Sequence, residues 1–298
     1  MAYRNIRNEQ HAPLPQLKAH LEQLWQEYWE HADENFLREF PYRFHQRWFE
    51  MHLTVALKRT GLSVTSPKPG PDVLLETNAG RIWIEAVAPT GGDPAENADA
   101  VVDPSRPGQS GAFWLPRSNI ALRVAQGFAE KSKVFANYIE RGIVPEGDAC
   151  VIAINLHGIP YAALDARGHL LAALYGVGDQ YVLIDRESGD VTGGGVHHRP
   201  GLQRASGAQV KAQPFLVTDH THISAVIGSS ADAANGTYRL GDDFLTFPNT
   251  RARRPLQQHL IPLGLEYQLF EQPSEWRVEA ISHIVSAAPA ASDAAKES

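Results

Sequence analysis

Sulfur is scarce in this chain: 298 residues carry one cysteine and two methionines. The lone cysteine, Cys150, excludes an intrachain disulfide and suits a reducing compartment, so a cytoplasmic setting is expected. Its surroundings, ACVIAINL, read as a buried strand, which makes it a small core residue rather than a catalytic thiol. Long apolar runs are missing too. None reaches the ~18 residues of a membrane span, and MAYRNIRNEQHAPLP has no apolar signal core, so no membrane partner is expected. Positive charge is in deficit, with 27 Lys and Arg against 34 Asp and Glu and a net charge of −7. That balance removes any global attraction to nucleic acid, although local patches still count because phosphate binding follows local charge. Arg251, Arg253 and Arg254 form one such run, equally readable as a solvated turn.

Several signatures are absent. No HExxH, no Cys–His zinc spacing and no GxSxG occur, and Gly193–Gly195 has neither the preceding strand nor the following helix of a dinucleotide loop. Among the 13 histidines, the pairs at 197–198 and 220–222 suggest a zinc hydrolase only if partners join them; otherwise they belong to surface loops.

What remains is an ordinary globular composition, 43% hydrophobic and 20% charged, in a chain long enough for one large domain or two. Residues 1–40 read as an N-terminal helical segment, since Leu17, Leu21, Leu24, Trp25, Tyr28 and Trp29 recur at helical spacing until Pro41. A second helix runs through YRFHQRWFEMHLTVALKRTG and stops at Gly61. Two strands follow, joined through Thr77–Gly80, and then a Gly- and Pro-rich loop from 91 to 116. A long helix over 118–141 ends at Gly142 and leads to the strand around Cys150. Further strands are expected at QYVLID, FLVTD, ISAVIGSS, TYRLG, DFLTFP and LEYQLFE, with GDVTGGGVHHRPGLQRASGAQ as a loop. Residues 41–285 then form a single α/β domain with a mixed central sheet flanked by helices and a strand-rich second half, and 286–298 form a disordered tail.

Chemistry concentrates in PGPDVLLETNAGRIWIEAVAP, residues 69–89. Glu85 sits among apolar residues of a strand, a costly place for an unpartnered carboxylate. With Asn78 and Ala79 as a two-residue loop, Thr77 faces Gly80, and the ladder puts Asp72 opposite Glu85. The two acids then repel unless a cation or a proton lies between them, and Mg²⁺ or Mn²⁺ is the natural occupant. With a three-residue loop and Gly80 as a bulge, Glu85 points to the other face unless a second bulge restores it; Asp72 can also be read as a turn residue after Gly70-Pro71. Glu50, three residues before Leu53 and seven before Leu57, can face inward as a third metal carboxylate, or can pair with Arg43 or Arg47.

The long helix carries an apolar stripe of Val124, Phe128, Phe135 and Ile139, and Lys131 falls on that stripe, where lysine is rare unless paired. It snorkels past Phe128 to water, pairs with Glu130 or another surface acid, or directs its ammonium toward Glu85. Lys133 lies on the solvent face instead. Arg123 borders the stripe, and His157 follows a strand end, so both are candidate substrate contacts.

An inward Glu on a helix, a hairpin carrying Pro71-Asp72 and Glu85-Ala86-Val87, then a helix and a strand: this order resembles the PD-(D/E)XK, restriction-endonuclease-like superfamily over roughly residues 43–156. The resemblance implies a restriction-endonuclease-like core with additional C-terminal strands. It also implies phosphodiester hydrolysis of nucleic acid, DNA first, with Mg²⁺ or Mn²⁺, and with Asp72, Glu85 and a lysine as catalytic residues. The family's lysine position is Val87 here. Some members move that lysine to the adjacent helix, a role Lys131 would fill; otherwise the chain is a catalytically inactive relative that binds nucleic acid or a protein partner. Homodimerisation is left open.

Overall fold

The computed structural model describes residues 14–103, 114–235, 239–271 and 276–282. The expected 286–298 tail lies outside the described residues, as does 104–113 of the long loop.

Helix α1 (Leu14–Tyr28) and helix α3 (Phe44–Arg59) are linked by Lys58 Nζ, which donates to the Glu27 carbonyl at 2.6 Å, and by the Arg59–Glu27 ion pair at 2.5 Å. The single helix expected up to Pro41 is broken. After α1 come one 3-10 turn, Trp29–His31, and the four-residue helix α2 (Phe36–Glu39). Asp33 explains the break. Its Oδ1 accepts the Asn35 N–H at 2.7 Å, a local turn that competes with helix, and its Oδ2 pairs with Arg47 at 2.9 Å.

Strands β1 (Ser63–Thr65), β2 (Val73–Thr77), β3 (Gly80–Val87) and β4 (Ala149–Asn155) make one half of an eight-stranded mixed sheet. Helix α4 (Arg117–Glu140) connects β3 to β4, which lie parallel. After β4 comes helix α5 (Ala166–Tyr175), then two ribbons outside the main sheet. One pairs β5 (Val177–Ile184) with β6 (Val191–His198); the other pairs β7 (Gly201–Gln203) with β8 (Gln209–Lys211). Strands β9 (Ala225–Ser229), β10 (Leu245–Pro248), β11 (Leu265–Glu271) and β12 (Trp276–Ser282) complete the sheet in the order β1-β2-β3-β4-β9-β10-β11-β12.

The sheet separates two cores, and strand alternation decides which residue enters which. Ile82, Ile84 and Ala86 join α1 and α3 on one face, while Trp83 and Val87 join α4 and α5 on the other. Cys150 lies in the second core, where burial pushes its thiol up to about 12 and keeps it protonated. Glu85 falls between Trp83 and Val87 on that second face, so it points toward α4.

Two strand expectations and one loop expectation need correction. FLVTD is turn, because Pro214 precedes it and Phe215 serves as a fully buried anchor, its N–H bonded to the Leu174 carbonyl. The described part of TYRLG is also turn, closed by Asp242 N–H on the Arg239 carbonyl. The segment expected to loop through Gly193–Gly195 is instead strand β6, where a Cβ at Gly194 would sit 2.8 Å from the Tyr181 carbonyl. Strand β12 was not anticipated, although WRVEAIS alternates. Among the described residues no helix is long and apolar enough to cross a membrane.

Candidate active site

Parallel strands β3, β4 and β9 end on the same side, and the hairpin start and the α3 N-terminus lie beside them. This is the crevice at the carboxyl ends of strands where α/β sheets place ligands. The hairpin has the two-residue loop: Thr77 pairs with Gly80 and Val73 with Ile84, so one further step sets Asp72 opposite Glu85. Asp72 Oδ2 accepts the Ala86 N–H at 2.7 Å, which ties the acid to the strand it faces.

Lys131 reaches this hairpin. Its Nζ lies 2.7 Å from Glu85 Oε1, with Glu85 buried and Lys131 about one-fifth exposed. Lys133 is exposed, as its place on the helix predicts. The close seating of α4 depends on Gly127, one turn before Lys131. A Cβ there would meet Pro89 Cγ at 3.4 Å and Val87 Cγ1 at 3.8 Å. Val87 is therefore the apolar wall against which the lysine-bearing helix rests.

The carboxylates perturb one another. Burial, and then the Glu85 charge, raise Asp72 to about 7, although its side chain is only half-buried. Burial raises Glu85 as well, opposed by Lys131. Burial tends to lower Lys131, but the carboxylates of Glu85 and Asp72 outweigh it and hold the ammonium charged. Glu50 is likewise lifted to about 7 by burial and by the charge of Asp72. Both Glu50 oxygens are engaged within its own helix, Oε1 by Gln46 Nε2 at 2.8 Å and Oε2 by Arg47 at 2.7 Å. Arg47 also binds Glu39 at 2.6 Å and Asp33 at 2.9 Å, so the pairing weighed for Glu50 exists as part of a mostly buried network. Glu85 Oε2 is the exception: it is buried and, among the described residues, has no hydrogen-bond partner. An orphaned carboxylate oxygen facing a second raised acid is what a hard cation or a proton would satisfy. Among the described residues no group of three or more His, Cys, Asp or Glu side chains is arranged to hold a metal ion. An ion here would rest on one or two carboxylates and otherwise on water, the usual habit of Mg²⁺.

A cleft of about 410 Å³ adjoins these acids, with Arg43, His45, Gln46, Arg123, Gln126 and Glu130 among its walls. Gln46 separates it from the carboxylates. Its amide nitrogen binds Glu50 and the Ala86 carbonyl (3.2 Å), and its oxygen accepts the Ala88 N–H at 2.7 Å. Sequence reasoning missed Gln46; its only signal was the four-residue spacing to Glu50. Arg123 lines the cleft, and among the described residues it bonds to neutral acceptors, the Thr90 carbonyl and the Gln126 amide, both at 2.8 Å. His157 stands near the cleft wall, paired with Asp232 at 2.9 Å.

The remaining histidine pairs lie elsewhere. His198 bonds Gln213 at 2.9 Å, whereas His220 and His222 contact Ser132 at 2.8 and 3.0 Å on α4. When the chain is compared with protein-family models, curated proteins and solved structures, it matches none of them.

Proposed function

We propose that the chain is a Mg²⁺- or Mn²⁺-dependent nuclease with a restriction-endonuclease-like core, acting on DNA, whose catalytic lysine comes from α4. The observation that carries this reading is the 2.7 Å contact between Lys131 and Glu85, made by a helix to a hairpin whose own lysine position is Val87. The element order α3, β1–β3, α4, β4 supports it, as does the Asp72–Glu85 register.

Asp72 and Glu85 would hold the cation, with Glu50 adding its charge to theirs. A cation bound there supplies a water of lowered pKa and offsets the negative charge developing on phosphate. Lys131 orients the attacking water from its post on Glu85 and presents positive charge to the phosphoryl oxygens. Arg123, bonded to no acid among the described residues, binds a phosphate of the strand in the cleft.

Supercoiled plasmid incubated with Mg²⁺ or Mn²⁺ tests the assignment. Glu85→Ala and Lys131→Ala should each slow nicking by about 100-fold or more; undiminished cleavage by both variants sinks it. The competing reading, a catalytically silent relative, draws on Glu50, whose oxygens are both already satisfied by its own helix. Its signature is DNA binding with plasmid left intact in either metal.

A further inference from the structure

The carboxylate site uses the ends of β3 and the start of β2, yet the loops after β4 and β9 carry a second group of side chains at the same end of the sheet. Asn155, buried at the end of β4, binds those loops together. Its Nδ2 donates to the Ala231 carbonyl at 2.8 Å, and its Oδ1 accepts the His157 N–H at 2.8 Å. The loop after β3 is stitched to the same place, since Gly91 N–H donates to the Gly158 carbonyl at 3.1 Å. Contact there is so tight that a Cβ on Gly158 would fall 2.6 Å from the Pro89 carbonyl oxygen. Three loops thus converge on one spot.

At that spot Asp232 Oδ2 holds His157 Nε2 at 2.9 Å, and the His157 ring lies 5.2 Å from the ring of His45. His45 belongs to the first turn of α3 and lines the cleft. Among the described residues its ring contacts are Phe44 and His157, and neither ring nitrogen has a hydrogen-bond partner. A half-buried imidazole wedged between two rings, with no ring-nitrogen partner among the described residues, faces the cleft beside Arg43 and Arg123.

We infer that His45 is a substrate-contacting residue of this site, donating its ring N–H to a non-bridging phosphate oxygen of the nucleic-acid strand in the cleft, and that Asp232 and His157 are positioning residues for its ring. This rests on the nuclease reading for the identity of the ligand and extends it, moving the direct contact from His157 to His45.

A binding measurement separates the two claims. Fluorescence anisotropy of a labelled 20-base-pair DNA duplex, and of its single strand, is followed in EDTA so that no cleavage intervenes. His45→Ala should weaken binding of the preferred form about tenfold. His45→Gln, which keeps an N–H donor, should retain most of the affinity, and Asp232→Asn should fall between. In plasmid cleavage with Mg²⁺, His45→Ala should raise KM while kcat changes little, the pattern of lost uniform binding. Wild-type affinity in His45→Ala overturns the inference even if the protein is a nuclease. Equal losses in His45→Ala and His45→Gln overturn the hydrogen-bond role, and wild-type behaviour of Asp232→Asn overturns the positioning role. If the wild type binds DNA in a His45-dependent way yet never cleaves it, hydrolysis falls and the His45 contact stands. If it binds neither DNA form and leaves plasmid intact in Mg²⁺, both fall.

Discussion

Lys131 and Glu85 are a pair that neither partner tolerates losing alone. The contact at 2.7 Å is largely out of solvent, with exposures of 21% and 8% for the two side chains. Removing one charge leaves the other desolvated and unpaired. Lys131→Met is therefore expected to lose about 3 kcal/mol of unfolding free energy in urea, and the double variant Glu85→Gln/Lys131→Met should recover most of it. Additive losses would mean that the two groups do not interact. These residues were legible in the sequence because each is a charge in an apolar pattern, Glu85 within WIEAV and Lys131 on the stripe of Phe128 and Phe135. Gln46, His45 and Asp232 were not legible. An amide or a histidine in a first helical turn, and an acid in a loop, are commonplace until contacts 42 residues apart, such as Gln46 with Ala88, reveal their use.

Among the elements, the loops after β4 and β9 are tied together by Asn155. Asn155→Ala would leave the Ala231 carbonyl and the His157 N–H without their partner, at about 1–3 kcal/mol. The expected signature is a lowered Tm together with faster amide exchange at 157 and 231–232, but not in α1; uniform exchange rates would refute the clamp. Helix α5 carries a pH liability of its own. His169 is buried, its Nε2 has no partner among the described residues, and burial pushes its pKa down to about 4. Between an unfolded-state pKa of about 6.5 and that value, the unfolded chain takes up a proton that the native state refuses. Stability contributed by neutral His169 is thus complete above pH 6.5 and falls by about 3 kcal/mol as pH drops to 4. His169→Leu should flatten the acid limb of a Tm-versus-pH curve, and an unchanged limb would show that other groups set it. Element reading from sequence worked where period and caps agreed. Helix α4 was expected over 118–141 and spans Arg117–Glu140, and α3 stops two residues before Gly61, which takes φ +83°. It failed where a tertiary partner decided: Arg47 drawing Asp33 out of the first helix, and β5 enlisting a glycine-rich segment as β6.

For the whole molecule, the proposed function asks a chain of net charge −7 to receive phosphates in its cleft. Cationic groups at the cleft are few, Arg43 and Arg123, set against Glu130, and burial lowers the pKa of His45 so that its imidazole is a neutral donor. DNA affinity should accordingly fall with salt with a slope of only about −2 to −3 in log K against log [KCl], far shallower than that of a basic-surface binder. A slope steeper than about −6 would place the DNA on some other surface. The division of labour between hairpin and helix has a further consequence. A lysine on the same strand as its acid keeps a separation set by covalent geometry, whereas Lys131 and Glu85 are 46 positions apart and meet only because α4 lies at one height along β3. Each residue of axial slip would carry the ammonium about 1.5 Å along the helix axis. The two acids would stay fixed in the hairpin meanwhile, so the seat of Gly127 against Pro89 acts as a vernier on the charge balance of the pair.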